Sequence, residues 1–204
     1  GDVQVGGNAP IAVQSMTNTY TQDVPATVRQ IRALEEAGCE IVRVAVPDTE
    51  AAIAIAAIKP EISIPLIADI HFDFRLAIAS AKAGADALRI NPGNIGSEKK
   101  VRSVIEVAKE MNIAIRVGVN SGSLEKDLLK KYQSATAEAM VESAMGHVAI
   151  LEELGYDKLK VSLKVSDPLT TVEAYRLFAA RTDYPIHLGV TEAGPPLPPR
   201  TGRQ

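Results

Sequence analysis

Short β-branched runs alternate with amphipathic helical stretches along nearly the whole chain, and this alternation narrows the possible folds more than any other feature. Strands are predicted at Ile11–Met16, Ile41–Val46, Leu66–Ile70, Ala87–Ile90, Ala114–Val119, Lys158–Leu163 and Ile186–Val190. Helices are predicted between them at Pro25–Ala37, Glu50–Ile58, Arg75–Ala83, Glu98–Met111, Ala135–Leu154 and Leu169–Arg181. Gly38, Gly84 and Gly155 follow helical runs as C-caps, and Asp167-Pro168 opens a helix. Strict β-α alternation makes a parallel sheet, either doubly wound or closed as a barrel.

The face pattern of the strands selects between these two. Central strands of a doubly wound sheet are buried on both faces and read as continuous apolar runs. Here one parity is apolar and the other carries charge. Val42, Val44 and Val46 oppose Ile41, Arg43 and Ala45; Ile115, Val117 and Val119 oppose Ala114, Arg116, Gly118 and Asn120. Leu159, Val161 and Leu163 oppose Lys160, Ser162 and Lys164. Asp69 with His71, Arg89 with Asn91, and His187 with Gly189 and Thr191 continue the polar parity. One face therefore packs on helices and the other turns charge towards a shared interior, the pattern of a TIM (β/α)8-type barrel with a polar mouth at the strands' C-terminal ends.

A full barrel takes roughly 250 residues, and 204 residues carrying seven strands read as a barrel truncated after the seventh. Residues 1–194 are expected to form it. Four prolines among the five residues Pro195–Pro199 exclude the next crossover helix, so 195–204 is expected to be a disordered tail. Lys+Arg 22 against Asp+Glu 25 argues against a nucleic-acid partner held by bulk charge. No apolar run reaches the roughly 18 residues of a membrane helix, and no signal peptide is read at Gly1-Asp2-Val3-Gln4. A single cysteine excludes a disulfide framework, and a zinc or iron–sulfur site made from this chain's cysteines alone.

Sites in such barrels are built from strand ends and the loops after them. Those positions hold Arg43 with Asp48, Asp69 with His71 and Asp73, Arg89 with Asn91-Pro92-Gly93-Asn94, Arg116 with Asn120-Ser121-Gly122-Ser123, Ser162 with Lys164, and Glu192. Four cations, Arg43, Arg89, Arg116 and Lys164, come from four strands of a slightly acidic chain and point to a small phosphorylated substrate. The competing view is a structural layer in which these cations pair with Asp48, Asp69 and Glu192. Asp69, His71 and Glu192 are the acid–base candidates, and no third ligand accompanies Asp69 and His71 to make a metal site. His147 is read as a helix-surface residue, His187 as lumen filling, Cys39 as a buried structural thiol, and the charges from Glu125 to Lys131 as a solvated face.

The segments VGGNAPIAVQSMTNTYTQD, VRVAVPD, PLIADIHFD, LRINPGNIG, IRVGVNSGSLEKDLL, LKVSLKVSD and HLGVTEAG, spanning Val5 to Gly194, resemble the N-terminal barrel of the 4-hydroxy-3-methylbut-2-enyl diphosphate synthase family. The resemblance implies reductive ring opening of 2-C-methyl-D-erythritol 2,4-cyclodiphosphate to 4-hydroxy-3-methylbut-2-enyl diphosphate, in non-mevalonate isoprenoid biosynthesis. It implies diphosphate contacts from Arg43, Arg89, Asn91, Arg116, Asn120 and Lys164, with Asp69 and His71 at the same mouth. Glu192 matches the carboxylate that protonates or orients the leaving hydroxyl. Electrons reach a [4Fe–4S] cluster in the family from flavodoxin or ferredoxin, and the full-length enzyme is a homodimer of the bacterial cytoplasm or of plastids.

The family holds that cluster with three Cys and a Glu on a C-terminal domain, which this sequence lacks, and Cys39 is outside that set. The eighth strand is missing too, so the chain is expected to be a fragment without reductive activity of its own. Two other classes stay open: a dihydropteroate-synthase-like transferase barrel, whose pterin-facing Asp/Asn/Lys set is not placed here, and a non-catalytic module binding a phosphorylated metabolite.

Overall fold

In a computed structural model, which describes residues 2–189, six strands form one parallel sheet in sequential order. They are β1 (Gln14–Met16), β2 (Ile41–Ala45), β3 (Leu66–Asp69), β4 (Ala87–Ile90), β5 (Ala114–Asn120) and β6 (Leu159–Lys164). The helices are α1 (Val24–Glu36), α2 (Thr49–Ile58), α3 (Phe74–Lys82), α4 (Pro92–Ile95), α5 (Glu98–Glu110), α6 (Lys126–Tyr132), α7 (Ala137–Glu153) and α8 (Pro168–Ala179). Each starts or stops for a local reason. Asp23, Asp48, Asp73, Thr136 and Asp167 cap α1, α2, α3, α7 and α8 by accepting from backbone N–H groups two or three residues on. After α1 and α3 the chain leaves through Gly38 and Gly84 at φ +88° and +101°, a region costly for residues with a Cβ. The four-residue α4 and seven-residue α6 were not predicted, because neither is long enough to show a period.

The sheet curls so that its two edges face each other. Gln14 and Ile41 on one side and Lys160, Ile186 and His187 on the other line one cavity of about 500 Å³. The apolar parity of β2 to β6 packs outward on the helices: Val42, Val44, Leu66, Ala68, Leu88, Ile90, Ile115, Val117, Val161 and Leu163 are fully buried. The inward parity is mixed. Ile41, Ile67 and Ala87, packed against Val3, Ala12 and Ala114, make an apolar floor at the strands' N-terminal halves. Charged side chains share this face, from Lys160, the second residue of β6, up to Asp69 and Lys164, the last residues of β3 and β6. With no Trp in the chain, both layers are essentially aliphatic.

Two strands differ from expectation. At the open edge, β1 covers only the last half of the predicted Ile11–Met16, leaving Ile11 and Val13 exposed. The predicted strand Ile186–Val190 is represented among the described residues by one parallel bridge, Val161 to Ile186. Val161 N donates to Pro185 O and His187 N to Val161 O at 2.9 and 2.8 Å. The next rung is taken by a side chain: Leu163 N donates to the Tyr175 hydroxyl (3.1 Å), which donates to His187 O (2.5 Å). A phenol from α8 thus sits in the seam and ends the ladder. Val190, Glu192 and the tail expected at 195–204 lie outside the described residues.

Asp48, at the end of β2, is a helix cap, its Oδ1 accepting from Ala51 N at 2.8 Å. Asp48→Ala is expected to lower stability by about 1 kcal/mol in urea unfolding while leaving phosphate affinity unchanged.

Candidate anion-binding site at the barrel mouth

Register places the site's charges in a single row. Asp69 is the Cα partner of Arg89, Arg89 of Arg116, and Arg116 of Lys160. Residues paired this way share a face, so one carboxylate and three cations point inward from adjacent strands roughly 4.8 Å apart. Lys164, paired with Asn120, adds a cation nearer the mouth, and Arg43, paired with Ile67 one inward step below Asp69, adds another that reaches the Asp69 carboxylate with its long side chain. Among the described residues the strands' inward faces thus bring five cations together with one carboxylate, Asp69, which is 3% exposed.

Asp69 is fully engaged. Arg89 Nη1 donates to its Oδ1 at 3.2 Å, Arg43 Nε lies 3.5 Å from Oδ2, and His71 Nε2 stands 3.7 Å from Oδ1. The Arg43 guanidinium also reaches Met16 Sδ at 3.0 and 3.2 Å. The His71 side chain, 56% exposed, forms part of the rim. Arg116 is 0% exposed, and its Nε, Nη1 and Nη2 have no protein partner among the described residues; Arg89 Nε and Ser162 Oγ are orphaned likewise. Buried donors left unmatched cost about 1–3 kcal/mol each, more when charged, so this row is complementary to an anion.

Electrostatics follow the same geometry. Desolvation, reinforced by neighbouring arginines, pushes Arg116 down to about 9 and Lys164 down to about 8. Desolvation and Arg116 bring Lys160 to about 8. Burial and the surrounding cations push His187 down to about 3, so it sits neutral in the lumen.

Arg43, Asp69, His71, Arg89, Asn120 and Lys164, with Ser121, Gly122 and Ser166 from the loops, line a mouth cavity of about 390 Å³. Asn91 stands behind that lining. Its Oδ1 accepts from Gly93 N at 3.1 Å and its Nδ2 donates to Ser123 Oγ at 2.9 Å, while Ser123 donates to Asn120 O at 3.2 Å. It therefore clasps the β4 and β5 loops together. Cys39 is buried, its thiol 3.1 Å from Ile41 O, as a structural thiol should be.

Three readings of the sequence are corrected or extended here. His147, expected on the surface, is 6% exposed, because its face of α7 turns onto the sheet rather than away from it. Glu125, expected on a solvated face, reaches back to His147 Nε2 at 3.1 Å and Ser143 Oγ at 3.1 Å. The hydrogen bond from His147 leads the causes that hold its carboxyl down at about 2. Lys160 had the correct parity but lies too deep in its strand to count among strand ends. Gly118 also acts, by its lack of a side chain: a Cβ there would fall 2.6 Å from Arg89 Nε. An isolated glycine within a strand is the signal for such a close approach.

The class is thus a parallel (β/α)-barrel protein whose mouth is lined by converging cations. Comparison with known proteins makes this specific. The GcpE TIM-barrel domain model matches residues 1–200, and the chain belongs to the GcpE TIM-barrel family. It is 62% identical to the 4-hydroxy-3-methylbut-2-en-1-yl diphosphate synthase (flavodoxin) of Geobacter sulfurreducens, over 95% of this chain and 55% of that protein. It is 60% identical to the synthase of the same name from Vibrio atlanticus, over 95% of this chain and 52% of that protein. The chain thus spans about half the length of these curated relatives. Among solved structures it is similar to a Yersinia pestis dihydropteroate synthase (TM-score 0.57, 14% identity, 87% of this chain and 71% of that one). A 3-dehydroquinate dehydratase from Geobacillus kaustophilus is comparable (TM-score 0.62, 15% identity, 89% and 74%). Likeness at such identity shows the barrel fold alone.

Two outcomes are expected from this geometry. Lysines here at about 8 meet an unfolded state that keeps its protons up to 10.5, so between those values the unfolded chain binds more protons. The urea midpoint of the ligand-free chain should therefore rise as pH climbs through about 8, while pyrophosphate affinity falls over the same range. Gly118→Ala is expected to drive Arg89 off Asp69, lowering pyrophosphate affinity in calorimetry about as far as Arg89→Ala does, with folding retained.

Proposed function

We propose that this chain is the substrate-binding barrel of a 4-hydroxy-3-methylbut-2-en-1-yl diphosphate synthase, its mouth taking 2-C-methyl-D-erythritol 2,4-cyclodiphosphate. The observation that carries the reading is Arg116, wholly buried, with three unpartnered guanidinium nitrogens beside Arg89 and Lys160. A cyclic diphosphate with about two negative charges offsets the surplus of the row. Arg89, Arg43 and Lys164, which line the mouth cavity, hold the diphosphate, and Arg116 acts as a buried charge beneath Arg89. Asn120, beside Ser121 and Gly122, supplies amide donors at the rim, and Asn91 fixes the loop that carries them.

Ring opening breaks a carbon–oxygen bond and leaves charge on a phosphate oxygen. Preorganised cations at that oxygen stabilise the charge as it develops, without reorganising at the moment of reaction. Asp69 serves as counter-ion, holding the Arg43 and Arg89 forks in place. His71 at the rim and Glu192 are assigned to proton delivery towards the departing hydroxyl, with Glu192 taken from the family motif. Two electrons enter and water leaves in the overall conversion.

An iron–sulfur cluster does not fit the described residues. No group of three or more His, Cys, Asp or Glu side chains able to hold a metal occurs among them, and the Cys39 thiol faces the Ile41 carbonyl. We therefore assign binding and charge stabilisation to this chain and assign no electron transfer to it. Flavodoxin as donor, a [4Fe–4S] domain, a homodimer and a bacterial cytoplasmic setting belong to the same proposal, supported by the relatives' names and the family resemblance. No helix among the described residues is long and apolar enough to cross a membrane.

Calorimetry of the chain with the cyclodiphosphate tests the reading. One-to-one binding is expected, weakened about 10- to 100-fold in Arg89→Ala and Arg116→Ala, the worth of one charge-assisted hydrogen-bond set. No binding, or preference for a pterin diphosphate, overturns it.

A further inference from the structure

Outside the row of charges, one buried polar cluster is unused by the function above. It lies between the loops after β4 and β5 and the inner face of α7. Ser143 and His147, four residues apart on α7 and therefore on one face, are both almost wholly buried. Their polar atoms converge on Glu125 Oε1, each at 3.1 Å. Glu125 precedes α6 and makes no capping bond to that helix; its carboxylate crosses to α7 instead. The same edge of the imidazole also faces the β4 loop: a Cβ built on Gly93 would stand 3.5 Å from His147 Cε1 and 3.6 Å from Nε2, in ordinary contact, so the ring stands beside that backbone at a methyl group's distance.

We propose that His147 is a positioning residue for the anion site, clamping the β5 loop through Glu125 and backing the β4 loop at Gly93, so that both loops are held to α7. The proposal rests on the anion-binding reading of the mouth. From Glu125 the chain runs back through Leu124 to Ser123, whose hydroxyl joins Asn91 to the Asn120 carbonyl. Asn120, Ser121 and Gly122 line the mouth itself. Behind the lining, the two loops are thus tied to each other by Asn91–Ser123 and to the scaffold by His147–Glu125. A buried ionic or polar cluster is a poor source of stability compared with well-packed apolar side chains. Glu125 Oε1 takes both contacts while its buried Oε2 has no partner among the described residues, so what the cluster supplies is a fixed position for Glu125, and with it the geometry of two ligand-facing loops.

The test pairs amide hydrogen exchange of the ligand-free chain with calorimetry against inorganic pyrophosphate. His147→Ala is expected to speed exchange across 91–96 and 120–125, leaving the strands' protection intact, and to weaken pyrophosphate about tenfold. His147→Gln, which retains an N–H donor, should restore most of both. Glu125→Ala, at a half-exposed loop position where folding is not at stake, should reproduce the alanine result. Unchanged exchange and affinity in Glu125→Ala and His147→Ala overturn the proposal, as does a uniform loss of protection over every strand without rescue by Gln. A wild-type chain that binds no pyrophosphate defeats the functional reading instead, and the exchange arm still decides the clamp.

Discussion

Asp69 is the charge on which the rest of the mouth depends. It is the one carboxylate among the described residues on the inward faces of six strands, and two guanidinium groups converge on it. The like charges of Arg43, Arg89, Arg116, Lys160 and Lys164 would otherwise push those strand ends apart through a poorly solvated lumen. A single anion cannot balance five cations. The mouth therefore carries a surplus of positive charge, which the proposed anionic substrate would offset. Desolvation together with that surplus lowers the pKa of Arg116, Lys160 and Lys164.

The scaffold tolerates this because the two faces of the sheet are unequal. Ile, Val, Leu and Ala fill the outer interface almost without exception, and helices seal it. Ile41, Ile67 and Ala87, with the N-terminal Val3 against them, make the layer below apolar. Charge on the inward face runs from Lys160, low in β6, to Lys164 at its end, and burial there gives each electrostatic interaction more weight than it would have in water.

Which parts of this were legible beforehand follows from how locally each is encoded. Strand parity is a two-residue property, and Arg43, Asp69, Arg89, Arg116 and Lys164 were all visible on the polar side of their runs. The helix caps at Asp167 and Gly38 were legible for the same reason. His147 and Glu125 were not, because their partners lie 22 residues apart and only the packing of α7 decides which of its faces is buried. Asp48 looked like a site carboxylate by position, yet its own backbone neighbour claims it. Gly118 showed only its place on the polar parity of β5; the room it leaves for the Arg89 guanidinium comes from the neighbouring strand. The short α4 and α6 carry too few residues to betray a period.

The Tyr175 hydroxyl stands where a backbone rung would otherwise join β6 to the segment that follows. The spacing of the barrel wall at that seam is therefore dictated by a side chain rooted in an outer helix, not by the peptide groups alone. Lys164 sits one residue beyond the interrupted rung, with Gly189 close against its stem. One phenol thus ties α8, on the outer surface, to the wall that runs beside a cation of the mouth.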